Sequence, residues 1–372
     1  MKTSIERESL LKCLSHIQSV VERRNTIPIL SNVLIEASDR ALKLAATDLD
    51  LEIVETLPAD VIGAGGTTAP AHMLYEIVRK LPEGAQVHLE AGGTDGRLSV
   101  RAGRSRFSLA TLPRDDFPVL AAGELPHRFT MDSALLASVI GKTRFAISTE
   151  ETRYYLNGIY LHALGGAARP AMRAVATDGH RLARVELPLP KGAQGMPGVI
   201  VPRKAVNELA KLIAEEAEPV EIALSENKMR FALDDLVLTT KLIDGTFPDY
   251  SRVIPTGNDK SMQVNVKEFT EAVDRVSTVS TEKSRAVKLS LQSGQLTLTV
   301  VNPESGTATE ELAVEYAASP LEIGFNGRYI LDIMAQMTGA TAQFAFADQG
   351  SPVLVRDPGD ASALYVLMPM RV

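Results

Sequence analysis

Between Ala176 and Leu182 the chain reads Ala-Thr-Asp-Gly-His-Arg-Leu, which places a carboxylate, an imidazole and a guanidinium around Gly179. An imidazole next to a carboxylate is a common arrangement for general acid–base catalysis and for metal binding. On that reading Asp178 and His180 would serve a hydrolase, and they would need a third partner. The sequence supplies none at a usable spacing. The six histidines stand apart at 16, 72, 88, 127, 162 and 180, with no His-x-x-x-His pair and no HExxH segment. Gly141-Lys142-Thr143 resembles the end of a phosphate loop, but that motif requires glycine at 136, where Leu136 stands in an apolar helical stripe. The segments Gly63–Thr68 and Ala91–Gly96 are glycine-bearing turns without the strand and helix of a dinucleotide site. No catalytic residue, cofactor or metal is therefore expected, and the Asp178/His180 hydrolase stands only as the alternative.

A second copy of the motif points to architecture instead. Ala-Thr-Asp recurs at Ala46, 130 residues before Ala176, followed by Leu-Asp-Leu and without histidine. What the copies share is an aspartate at a strand end, where a carboxylate can accept bonds from backbone N–H groups of the following turn. Phe117-Pro118 and Phe247-Pro248 show the same offset of 130. Two markers with one period indicate tandem repeats.

The elements that must position these residues repeat as well. Leu10, Leu14 and Ile17, then Leu135, Leu136, Val139 and Ile140, then Phe269, Val273 and Val276 recur at helical spacing and predict three amphipathic helices. A second helix is expected in each repeat, around Met73 to Leu81, Val206 to Ile213 and Tyr329 to Met337. Pro70 and Pro202 near two of these starts suit a first helical turn, where a missing N–H costs nothing. Segments such as Gln295–Val300 alternate apolar and polar residues at the strand period of two. The expected fold class is α+β: three tandem similar domains, residues 1–121, 127–254 and 255–372, each with two helices on antiparallel sheet. A head-to-tail chain of such domains either runs on as a filament or closes, and closure protects the terminal sheet edges.

Composition narrows the function. A chain of 372 residues with 45% hydrophobic residues can bury several cores. The single Cys13, among leucines, excludes an internal disulfide and reads as a small core residue. The charged N-terminal segment is neither signal peptide nor membrane anchor, so a cytoplasmic chain without membrane partners is expected. A net charge of −7, no tryptophan and 5% aromatic residues argue against tight nucleic-acid binding by bulk attraction or base stacking. An exported adhesion module would carry disulfides or a leader, and neither is seen.

The strings Asn25–Asn32, Gly103–Pro113, Arg153–Gly158, Ala176–Ala183, Val199–Lys204, Asp244–Pro255 and Tyr365–Val372 together resemble the bacterial sliding clamps, the DNA polymerase III beta subunits, from one end of the chain to the other. The resemblance implies the DNA clamp fold, with two chains closing head to tail as a homodimeric ring around duplex DNA. It further implies a non-catalytic processivity factor that tethers the polymerase III catalytic subunit, other polymerases and repair proteins, and that is opened by a separate clamp-loader ATPase. Confinement by a ring does not require strong phosphate contact, so net acidity is no obstacle.

Site residues follow from the same resemblance. Leu156, Thr177, Gly179, His180, Arg181, Leu182, Pro248, Arg252, Val253, Val366, Met368, Pro369, Met370 and Arg371 would line a groove for short partner peptides. Its leucines, valines, prolines and methionines suit an adaptable apolar trough, with His180, Arg181 and Arg252 orienting the ligand. Arg24, Tyr154, Arg203 and Lys204 would face DNA through loose, sequence-independent contacts. Arg104, Arg106 and Phe107 would meet Thr278 and Val279 of a second chain, the arginines pairing acids such as Glu304 or Glu310. Glu150 and the pair His72 and Met73 depart from the family pattern at the DNA rim and the chain–chain contact.

Overall fold

The structure, a computed structural model, describes residues 1–23, 26–92, 96–121, 123–165, 169–215, 218–280 and 285–372. Its described helices of two turns or more are α1 (Arg7–Ile17), α2 (Ala71–Lys80), α3 (Ser133–Arg144), α4 (Arg203–Leu212), α5 (Val266–Ser277) and α6 (Gly327–Met334). They fall two to a repeat, as the periodicity predicts. The second helices begin two or three residues earlier than expected, and α6 ends three residues sooner, before Met337.

The helices bury the faces their spacing marks out. Leu10, Cys13, Leu14 and Ile17 of α1 are closed to solvent, as are Phe269, Val273 and Val276 of α5. Burial pushes the Cys13 thiol well above its ordinary pKa, with Glu55 adding to the rise, so it is inert packing. α3 differs from the expectation at one position: Leu136, Val139 and Ile140 are buried, but Leu135 is 42% exposed. Residues one apart point about 100° away from each other on a helix, so Leu135 and Leu136 cannot both face one core. Side-chain caps start several helices: Asp132 accepts from the Leu135 N–H at 2.9 Å and Asn265 from the Glu268 N–H at 3.0 Å.

The chain folds into two compact units, one comprising residues 1–137, 190–197 and 204–242, the other 138–189, 198–203 and 243–372. The first unit has a five-stranded antiparallel sheet, in the order Asp60–Gly63, Lys2–Glu6, Gln86–Ala91, Arg97–Ala102, Ser105–Ala110. Its eight-stranded sheet contains a join between repeats: Leu236–Lys241 pairs with Leu51–Pro58, with Leu238 opposite Ile53. The second unit repeats the device. In its nine-stranded sheet Arg181–Pro188 pairs with Asp360–Leu367, Leu182 lying opposite Val366. Its four-stranded sheet runs Gly306–Ala313, Gln295–Asn302, Ala286–Gln292, Leu321–Asn326. In both joins the participating strand follows an Ala-Thr-Asp motif, so the duplicated sequence marks where one repeat is sewn to the next. No helix among the described residues is long and apolar enough to cross a membrane.

Candidate functional site

The two Ala-Thr-Asp turns are built alike. Asp48 Oδ1 accepts from the N–H groups of Asp50 and Leu51 at 2.9 and 2.7 Å, and Asp178 Oδ1 accepts from those of His180 and Arg181 at 2.9 and 3.0 Å. The threonines act in parallel: Thr47 Oγ1 takes the Leu49 N–H at 3.0 Å and Thr177 Oγ1 the Gly179 N–H at 3.1 Å. The residue between has a left-handed backbone in both, φ 81° at Leu49 and 88° at Gly179. Glycine carries this conformation without strain. A β-carbon at 179 would also sit 2.5 Å from Arg153 Nη1.

Both carboxylate oxygens of Asp178 are engaged. Its Oδ1 holds the turn and its Oδ2 accepts from Arg181 Nε at 3.1 Å. Among the described residues, no hydrogen bond joins a His180 ring nitrogen to Asp178; that ring lies exposed beside Tyr329, centroids 6.3 Å apart. Arg181 is nearly buried and turned inward. Its Nη1 reaches Asp332, its Nη2 donates to the Phe145 carbonyl at 2.6 Å, and its guanidinium carbon lies 4.3 Å from the Tyr329 ring centre. Asp332 and Tyr329, both on α6, have no counterpart signal near Arg181 in the sequence, from which they are about 150 residues removed.

Three of the expected groove residues form one floor. Leu156, Leu182 and Val366 share a buried cluster with Phe247, Tyr250 and Leu364. Phe247 stacks on Tyr160 with ring centres 4.9 Å apart. Phe117, its equivalent in the first repeat, closes a smaller cluster with Ile29 and Leu34. The expected margin is solvent-facing: Pro248 is exposed, Val253 is 45% exposed and Met370 39%. Asp249 caps the short turn Tyr250–Val253 and binds Arg252 Nε at 2.9 Å, so the Arg252 side chain stays in solvent on a local tether. The tail begins where the sheet stops. Met368 donates its N–H to the His180 carbonyl at 2.9 Å, extending the pairing of Leu182 with Val366 by one bond. Pro369 is half-buried and Arg371 is exposed.

The residues expected to face DNA are less uniform. Tyr154 is 52% exposed and packs edge-on to Tyr155. Arg203 is exposed at the start of α4, its own N–H donating to the Asn157 carbonyl at 2.8 Å. Lys204 is engaged: its Nζ bonds Asp48, Glu22 and the Val20 carbonyl. Burial works to lower its pKa, and Asp48 and Glu22 outweigh that, so the ammonium is held above its ordinary value. Glu150 is paired with Arg153 at 2.7 Å, a bond that lowers the carboxyl's pKa. Arg24 lies outside the described residues.

Arg104, Arg106 and Phe107 are exposed on and beside Ser105–Ala110, the edge strand of the five-stranded sheet. Thr278 is exposed at the end of α5, and Val279 is half-buried with its carbonyl bonded by Asn302 Nδ2 at 2.8 Å. Glu310, expected as a partner for an arginine of a second chain, instead accepts two bonds from Arg275 of its own chain. Glu304 is exposed nearby. His72 is anchored, with ring nitrogens 2.9 Å from Gln18 Oε1 and from the Val21 carbonyl, while Met73 is 54% exposed.

Three α+β repeats joined through continuous sheets, with a shared turn at each join, define a DNA clamp fold. Comparisons with known proteins agree along the full length. The DNA polymerase III beta subunit family matches in its N-terminal domain at residues 1–121, its central domain at 130–249 and its C-terminal domain at 251–371. The Beta sliding clamp of Caulobacter vibrioides is 55% identical over 372 residues, covering all of both chains, and that of Escherichia coli K12 is 39% identical over 375 residues with the same coverage. The crystal structure of a Bartonella birtlesii DnaN sliding clamp bound to griselimycin superposes with a TM-score of 0.98 at 50% identity, again covering both chains completely. The chain belongs to the DNA polymerase III beta subunit family, the beta sliding clamps.

Proposed function

We propose that two copies of this chain close head to tail into a ring around duplex DNA and act there as a processivity factor, with no bond made or broken by the clamp itself. The observation that carries the reading is the order of three family domains along the whole chain, at 55% identity to a Beta sliding clamp. Ring closure would use the two outer edge strands, Ser105–Ala110 and Gly306–Ala313, each of which pairs on one side only within its sheet. Phe107 would be the apolar anchor of that contact against Thr278 and Val279, with Arg104 and Arg106 facing Glu304; Glu310 is committed to Arg275.

Partner proteins would dock on the trough floored by Leu156, Leu182 and Val366 and bounded by Pro248, Val253 and the Met368–Arg371 tail. The polymerase III catalytic subunit, other polymerases and repair proteins would enter it through short peptides. Exposed methionine and valine at the margin suit several ligands in turn. Domains would divide near 121–127 and 254–255, and the protein would work in the cytoplasm, loaded by a separate ATPase. Tyr154 and Arg203 would touch DNA lightly, and Lys204 less, because its charge is already paired.

The test is topological. Clamp loaded on closed circular DNA is expected to survive a high-salt wash and to slide off once the circle is cut. Equal release from cut and uncut DNA overturns the ring.

A further inference from the structure

The floor of the trough is one end of a longer sheet face. Along Arg181–Pro188 the side chains of Leu182, Arg184 and Glu186 alternate onto the same side. The strand register carries that face sideways: Leu182 lies opposite Val366, and Val366 opposite Leu354. Arg184 lies between Val175 and Leu364, and Glu186 opposite Arg173, which itself lies opposite His162. Arg356 follows Leu354 by two residues on the next strand and lies opposite Gln343 as Leu354 lies opposite Ala345, an unbroken register that keeps it on the same side. A row of Leu182, Val366 and Leu354 is thus followed, about 7 Å farther along the strands, by Arg184 and Leu364, with Arg356 beyond Leu354 where the register against Asp360–Leu367 shifts between Val355 and Asp357.

The second row carries charge that the chain does not neutralise. Arg173 Nε bonds Glu186 at 2.7 Å and its Nη1 donates to the Tyr250 hydroxyl at 3.2 Å, so the carboxylate of this patch is already used. Arg184 is half-buried, and its Nε is shut off from solvent with no hydrogen-bond partner among the described residues. Among the described residues neither Arg184 nor Arg356 forms an ion pair. Burial first, and then the neighbouring Arg173, disfavour the Arg184 charge; Glu186 and Tyr250 favour it, and Arg356 adds a smaller unfavourable push. A guanidinium does not give up its proton at physiological pH, so the cation remains and is poorly solvated. An anion brought by a ligand would meet a desolvated, preorganised fork, where charge-assisted bonds are strongest.

We propose that Arg184 and Arg356 form a subsite for acidic side chains continuous with the trough, so that segments bound there carry Asp or Glu one strand row beyond their apolar anchors. This rests on the trough being the partner-peptide site. It adds a charge preference that would sort competing partners.

The experiment uses the full chain and a synthetic peptide of the clamp-binding segment of the polymerase III catalytic subunit. Two versions are made, with the residues flanking the apolar anchors all Glu or all Gln. The Glu version is expected to bind about tenfold more tightly in low salt, the scale of one charge-assisted pair. That advantage should shrink as salt rises. It should vanish in Arg184→Gln and fall in Arg356→Gln, whose exposed side chain leaves folding unaffected. Equal affinities in the parent chain, or the same Glu advantage in both variants, overturns the subsite while leaving the trough intact. Failure of both versions to bind the parent chain overturns the trough itself.

Discussion

The N–H of Met370 donates to the carbonyl of Gly324 at 2.7 Å, an isolated bridge that fastens the C-terminal tail to the edge strand Leu321–Asn326. The fit depends on residue 324 lacking a side chain. A β-carbon there would fall 2.2 Å from Val372 Cγ1 and 2.9 Å from the Met370 carbonyl oxygen. The C-terminal tail is held by close approach at a strand edge.

Gly324→Ala should therefore dislodge the tail without unfolding its sheet, because the other edge of that strand stays paired with Ala286–Gln292. Overpacking of this kind costs about 1–3 kcal/mol, so affinity for a polymerase-derived peptide should fall roughly 5- to 150-fold. Fluorescence polarisation would read this, with thermal melting as control. Removing Val372 from the variant should restore much of the binding; no recovery would mean that the tail is not held in this way.

Deleting Met368 to Val372 removes the tail altogether. Peptide binding should be lost while the dimer persists, since Ser105–Ala110 and Gly306–Ala313 are untouched. Titration together with sedimentation velocity would separate the two effects, and normal peptide affinity in the truncated chain would rule the tail out of the site.

Arg181 bridges Asp178 on its own turn and Asp332 on α6. Arg181→Ala strands two carboxylates in a mostly buried setting, and breaking such a group costs about 3–5 kcal/mol. Urea unfolding should show the loss. A change below about 1 kcal/mol would indicate a surface-like pair.

Tyr365 is buried to 1% exposure, and among the described residues its hydroxyl has no hydrogen-bond partner. Burial, then Asp360 and Asp357, raise its pKa far above that of a free phenol. The folded state thus holds the proton more tightly than the unfolded one. Its contribution to stability is complete below the unfolded value of about 10 and is lost as pH climbs towards the folded value. Tyr365→Phe should be neutral to about 1 kcal/mol stabilising at pH 7. It should also soften the alkaline decline, as pH-dependent melting from pH 8 to 11 would reveal; an unchanged alkaline slope would contradict the assignment.

Phe107, 37% exposed on the edge strand Ser105–Ala110, is the proposed apolar anchor of the chain–chain contact. Phe107→Asp should weaken chain–chain association by at least about tenfold, the loss of one anchor residue. Analytical ultracentrifugation would detect monomers at concentrations where the parent chain is dimeric, and an unaltered dimer would move the interface elsewhere.

Features with a local cause are legible in the residues alone. The spacing of Phe269, Val273 and Val276 specifies a buried helical face, and the repeated Ala-Thr-Asp specifies a turn, because an aspartate reaching N–H groups two and three residues ahead needs nothing from the rest of the chain. The offset of 130 residues likewise marks the repeats independently of strand pairing.

Which strand edges meet is set by long-range packing. Leu51–Pro58 and Arg181–Pro188 look like ordinary strands in sequence, yet each joins a neighbouring repeat, so the contacts divide the central repeat between two compact units. Nor could spacing reveal that Arg181 would be captured by Asp332, that Glu310 would be occupied by Arg275, or that Leu135 would face water beside buried Leu136. Backbone edges and charged side chains accept many partners of equal chemistry, and the choice among them is made by the packing of the whole.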